Sequence, residues 1–106
     1  MSFQRACSYA ELVDGQPHRV EVDGLDVAMV RDGDEVYAIE DECSHASVAL
    51  SEGDVEGCTI ECWMHGSRFD LRTGEPLGPP ATEPVPVFPV RIDGDDVHVD
   101  TTNPIA

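Results

Sequence analysis

Three cysteines and two histidines fall within residues 43–65 of a 106-residue chain that has only four of each. They form two pairs, Cys43-Ser44-His45 and, after a spacer of 16 residues, Cys62-Trp63-Met64-His65. Each pair offers one thiolate and one imidazole. Separations of two and three positions let both side chains of a pair converge from one tight turn on a single centre. Four N/S donors on paired loops suit either one tetrahedral zinc or a two-iron cluster. The residue types alone leave both open.

The elements that must position these loops read as short β-strands separated by turn signals, without convincing helical periodicity beyond one or two turns. Phe3–Ala6, Pro17–Val22, Asp26–Arg31 and Val36–Glu40 are expected strands, joined in part by the turns VDGL and RDGDE, and SYAEL is expected as one helical turn. Val85–Ile92 and Val97–Asp100 are expected as a hairpin around DGDD, and these flanking strands can pair into one antiparallel framework. Between them Asp41 to Pro84 is rich in Gly, Pro, Cys and His and reads as a loop-built insertion. Within it SEGDVEG is a turn region, while Cys58–Cys62 and Ser67–Asp70 are expected as short strands. PLGPPATEP cannot be a central strand, because Pro79 and Pro80 supply no amide donors.

The pattern CSH…CWMHGSRFD resembles the Rieske [2Fe–2S] signature, C-x-H followed at a similar spacing by C-x-x-H-G, and the likeness runs over nearly the whole chain. It implies a mostly β Rieske fold in one domain, residues 1–106. An antiparallel β-sandwich base (about 1–40 and 85–106) would carry an inserted, loop-rich cluster-binding subdomain (about 41–84). By the resemblance, Cys43 and Cys62 hold one iron and His45 and His65 the other, in one [2Fe–2S] cluster. Thiolates suit a dry pocket with backbone donors, and neutral imidazoles can sit at the surface with little desolvation cost. Two imidazoles in place of two thiolates put the potential in the Rieske range, roughly −150 to +300 mV.

Departures from the family's high-potential members place this chain toward the low end. Those members join a second cysteine from each loop in a disulfide, and Val48 and Met64 occupy those positions here. They also aim a serine and a tyrosine hydroxyl at the sulfurs. Ser67 matches the first, but Phe69 replaces the second. Fewer donors and many acidic groups disfavour the added electron. Gly78-Pro79-Pro80 matches the loop that covers the cluster in this family, and Trp63 stands where the family often has proline, either as a docking anchor or as a plain partly buried aromatic.

Other candidate ligands are weaker. Cys58, four residues before Cys62, would face the same side of a strand, but the resemblance already supplies four ligands, so it is expected to be a spare. Cys7 reads as a packed or free thiol, and His18 and His98 as framework residues. The acidic clusters Asp32–Asp34–Glu35, Glu40–Asp41–Glu42 and Asp93–Asp95–Asp96 read as solvated turns, with Glu40–Glu42 set apart only by abutting Cys43.

With 22 acidic residues, six arginines and no lysine, the formal charge of −16 repels nucleic acid and anionic membranes and steers the chain toward a basic patch on a partner. No apolar leader or membrane span is found, so a cytoplasmic monomer is expected. The resemblance implies a soluble one-electron carrier, not an enzyme in itself. Its partners would be a flavin-containing NAD(P)H ferredoxin reductase and the terminal oxygenase of an aromatic-ring dioxygenase system. No length remains for a mononuclear-iron domain. The alternatives are a small Rieske-like subunit of an assimilatory nitrite reductase, a zinc-binding structural module, and a respiratory Rieske subunit, the last disfavoured by the missing anchor and disulfide.

Overall fold

Hairpin turns and one proline decide how the strands are shared among sheets. The computed structural model describes residues 3–42, 48–63, 66–78, 83–102 and 104–105. Ten strands are present among them: β1 (Gln4–Ser8), β2 (Pro17–Val22), β3 (Leu25–Asp32), β4 (Glu35–Glu40), β5 (Val55–Glu56), β6 (Thr59–Glu61), β7 (Arg68–Asp70), β8 (Val87–Phe88), β9 (Val90–Asp93) and β10 (Asp96–Val99). Single 3-10 turns cover Tyr9–Glu11, within the expected SYAEL turn, and Leu50–Glu52. The strands form three antiparallel sheets, ordered β1-β10-β9, β2-β3-β4-β8 and β5-β6-β7.

The β2–β3 hairpin closes on Asp23–Gly24, both at positive φ (53° and 79°), as a two-residue turn requires to match strand twist. In β3, Val27, Ala28, Met29 and Val30 are all fully buried. A strand covered on one face alone would alternate, so this run marks a sheet packed on both sides. Val27 and Met29 join Cys7, Leu12, Val22, Ala38, Phe88, Val97 and Val99 in one core. Ala28 and Val30 join Ile39, Leu50, Ile60, Cys62, Phe69, Leu71, Val85 and Val87 in the other. The four-stranded sheet is therefore the middle layer. One face packs on β1-β10-β9 to make the base, and the other on the small sheet of the insertion.

Two expectations are corrected. The run Val85–Ile92 is not one strand. Pro89 has no amide to give a ladder, and the chain changes sheets there: β8 pairs with β4 (Ala38 opposite Phe88), while β9 pairs with β10 (Val90 opposite Val99). The flanking strands consequently make two sheets, the layers of the antiparallel sandwich base that the resemblance implies. The first strand also runs on to Ser8, with a bulge between Arg5 and Cys7, instead of ending at Ala6. The insertion is more regular than its composition suggests, since β5, β6 and β7 form a sheet of their own.

Candidate metal centre

Cys62 is the one expected ligand among the described residues; Cys43, His45 and His65 lie outside them, as do Met64, Pro79 and Pro80. It follows β6 directly. Its amide donates to the Ser67 carbonyl at 2.6 Å, and its carbonyl accepts from the Gly66 amide at 2.8 Å. These two bonds close the loop that carries His65 in sequence. Gly66 sits at φ 77°, a conformation glycine adopts without steric cost and other residues disfavour. Loop closure here is done by the backbone.

The Cys62 side chain is fully buried in the inner core, and Ser67, 1% exposed, is buried beside it in the ladder. Phe69 is two residues further along β7, opposite Ile60, and is also fully buried. Ser67 and Phe69 share a face of the strand, as the serine and tyrosine positions of the signature require. Val48 is half-buried and packs on the same core. A thiolate in such surroundings must be neutralised, by a metal or by several donors. Donors of both kinds, thiol and imidazole, occur at the right positions of the chain. The residues fit a cluster, in which Cys43 and Cys62 would hold one iron and His45 and His65 the other.

The segment on either side of residues 79–82, expected to cover the cluster, is anchored by backbone bonds. Leu77 donates to the Arg68 carbonyl at 2.8 Å, one residue from Ser67, and Val85 donates to the Gly74 carbonyl at 2.9 Å. Leu77 is 58% exposed and Trp63 51% exposed. Trp63 is thus a surface residue directly after Cys62, which suits a docking anchor better than a core filler.

The remaining cysteines are placed away from this end. Cys58 sits in the Gly57–Cys58 turn between β5 and β6, where a strand starting at Cys58 was expected. Its carbonyl accepts from Leu71 at the ladder's other end. An extended run of four residues separates it from Cys62 by about 13 Å, too far to share a metal. A hydrogen bond between the Cys58 thiol and the Tyr37 hydroxyl, followed by burial, pushes that hydroxyl up to about 12. Cys58 is half-buried and packs on the inner core. Cys58→Ser is therefore expected to leave iron content at the wild-type level, measured on purified protein; loss of iron would reassign the ligand. Cys7 lies in the base, and burial first, then Glu11, pushes its thiol up to about 11, which keeps it protonated. His18 and His98 are in β2 and β10 of the base sheets.

Most acidic turn residues are exposed as expected. Asp41 is not: its side chain is fully covered, against its reading as a solvated turn residue. Among the described residues no group of three or more His, Cys, Asp or Glu converges as a further metal site. No helix among them is long and apolar enough to cross a membrane.

A three-layer β fold whose small outer sheet holds a buried thiol at the mouth of a Cys-x-x-His loop is a Rieske arrangement. The chain matches the Rieske [2Fe-2S] domain over residues 2–89 and belongs to that family, so its cofactor is a Rieske-type [2Fe–2S] cluster. It is 41% identical over 101 residues to the biphenyl dioxygenase ferredoxin subunit of Pseudomonas sp. (strain KKS102), covering 94% of this chain and 93% of the relative. The solved ferredoxin of carbazole 1,9a-dioxygenase from Nocardioides aromaticivorans IC177 is 40% identical, with a TM-score of 0.89, covering 93% of this chain and 97% of that one. A chain in a complex of reduced oxygenase and oxidized ferredoxin of carbazole 1,9a-dioxygenase is 38% identical, with a TM-score of 0.86, covering 92% and 91%. A chain proposed as the NADH-dependent nitrite reductase small subunit of Mycobacterium tuberculosis is less similar, at 26% identity and a TM-score of 0.81, covering 92% and 93%.

Proposed function

We propose that this chain is the ferredoxin component of an aromatic-ring dioxygenase system, a carrier and not itself a catalyst. It would take one electron at a time from a flavin-containing NAD(P)H reductase and deliver it to a terminal oxygenase, in the cytoplasm and as a monomer. The observation that carries this reading is similarity to dioxygenase ferredoxins at about 40% identity over nearly the full length of both chains. The nitrite reductase alternative is supported by lower identity at similar coverage. The division into a base of 1–40 and 85–106 and a cluster-binding part of 41–84, all one domain, belongs to the same proposal.

When bound, the cluster supplies reversible one-electron chemistry. The chain's own residues do the rest. Cys43 and Cys62 would provide the inner thiolates, and His45 and His65 the outer imidazoles through which an electron leaves. Ser67 would donate to sulfur, and Phe69, lacking a hydroxyl, leaves the second donation unmade and the potential toward the low end of the range. Trp63 and Leu77 offer exposed apolar surface near Cys62 and Ser67 for a partner to cover.

Charge supports a basic partner. Each of the six arginines is occupied within the chain. Arg5 pairs with Asp96, Arg19 with Asp26 and Asp41, Arg68 with Glu61 and Glu56, and Arg72 with Asp70. Arg31 bonds the Gly33 carbonyl and lies over Tyr9, and Arg91 lies over Phe3. The exposed surface is left with carboxylates such as Asp32, Asp34, Glu35, Glu42, Asp93 and Asp95. Steering of this kind raises association rates by about 10- to 1,000-fold. The rate of reduction by a flavoprotein reductase with NAD(P)H should thus fall by about tenfold or more between roughly 0.01 and 1 M salt, as the Debye length shrinks from about 30 to 3 Å. Stopped-flow bleaching of the cluster measures this; a flat profile would reduce the charge to a solubility device.

A further inference from the structure

We propose that Asp41 is the positioning residue of the first ligand loop, and that through Ser51 it sets how that loop sits against the strand leading to Cys62. This rests on the functional reading above. Asp41 follows β4 and precedes Cys43 by two residues. Its backbone amide donates to the Asp26 carbonyl at 3.0 Å, which fixes it to β3. Its carboxylate, with no exposed side-chain surface, accepts from the Ser51 amide and the Ser51 hydroxyl, each at 2.7 Å, one on each oxygen. The Arg19 Nε lies 3.4 Å from the same oxygen as the hydroxyl. A buried charge is tolerated where a cation and hydrogen-bond donors meet it, as here.

These bonds join residues ten apart and enclose the segment that contains Cys43 and His45. Ser51 belongs to the 3-10 turn Leu50–Glu52, whose Leu50 is fully buried in the inner core and whose end is capped by the Gly53 amide on the Leu50 carbonyl. Gly53 lies so close to β6 that a Cβ there would collide with the Glu61 carbonyl oxygen. The Glu61 amide, in turn, donates to Asp54 at 2.8 Å. Contacts therefore run without a break from Asp41 through Ser51 and Gly53 to Glu61, the residue before Cys62.

The second loop is closed by backbone bonds that survive most substitutions; across the first, among the described residues, the Asp41 carboxylate accepts from the Ser51 amide and hydroxyl. An amide at 41 keeps one acceptor oxygen and puts an NH2 donor in place of the other, so the arrangement of one Ser51 donor on each oxygen is lost, and with it the charge that faces Arg19. Loss of such outer-shell support typically weakens metal retention about 10–100-fold.

The test uses the cluster-loaded protein with Asp41→Asn, Ser51→Ala and the conservative Ser51→Thr. Its readouts are the electron paramagnetic resonance spectrum of the reduced state, the reduction midpoint, the rate of iron release to a chelator, and the urea midpoint. Asp41→Asn and Ser51→Ala are expected to alter the spectrum and the midpoint and to release iron about 10–100-fold faster, with Ser51→Thr close to wild type. The proposal is overturned if both variants keep the wild-type spectrum, midpoint and release rate, even with a lowered urea midpoint, because the clamp then supports the fold alone. Should Asp41→Asn not fold, Ser51→Ala decides, since it removes one hydroxyl and leaves the carboxylate's other partners. Wild-type protein holding zinc without sulfide would sink the functional reading instead, and the variants' metal-release rates would still decide this one.

Discussion

His65→Cys is expected to give a protein that still assembles a two-iron cluster but whose reduction potential drops from the Rieske range toward the roughly −400 mV of all-thiolate plant-type clusters. The reason is charge. With two thiolates, two sulfides and two ferric ions the oxidised site is neutral, and one electron makes it −1. A thiolate at 65 adds a unit of negative charge to both states, so the electron enters a site that already repels it. The surroundings do little to offset this, because the formal charge is −16 and every arginine already has an internal partner. Protein-film voltammetry reads the shift directly. An assembled cluster at the wild-type potential would mean that His65 is not a ligand.

Cys62→Ser should abolish the cluster altogether and produce the larger loss of stability. Serine is nearly the size of cysteine, so the inner core around Ile60, Phe69 and Leu71 keeps its packing. A hydroxyl, however, is a poor ligand for iron at neutral pH and is costly to bury unpaired, by about 1–3 kcal/mol on protein mutational data. Loss of the bound group adds to this, since a ligand present at 1,000 times its dissociation constant stabilises the native state by about 4 kcal/mol. The urea midpoint of Cys62→Ser should therefore fall well below those of wild type and Cys58→Ser. Two irons per chain in purified Cys62→Ser would show that the buried thiol is not needed.

The turns and the family signature were legible because their chemistry is local. Asp23–Gly24 signals a two-residue hairpin wherever it stands, and Cys-x-His with Cys-x-x-His-Gly carries its own spacing. What depended on distant partners was not legible. Pro89 marks a break in the ladder, but only the assembled sheets reveal that Phe88 faces Ala38 while Val90 faces Val99. The unbroken apolar run in β3 could have indicated cover on both faces, and hence a middle layer. Asp41 looked like one more turn carboxylate because Arg19 and Ser51, which allow its burial, lie 22 and ten residues away. Its only signal in sequence was its place two residues before Cys43.

Metal and sulfide analysis of the purified chain, read together with its absorption spectrum, bears most directly on the central claim. Two irons and two acid-labile sulfides per chain, in a coloured protein that bleaches on one-electron reduction, are expected. A colourless protein with one zinc and no sulfide would contradict it.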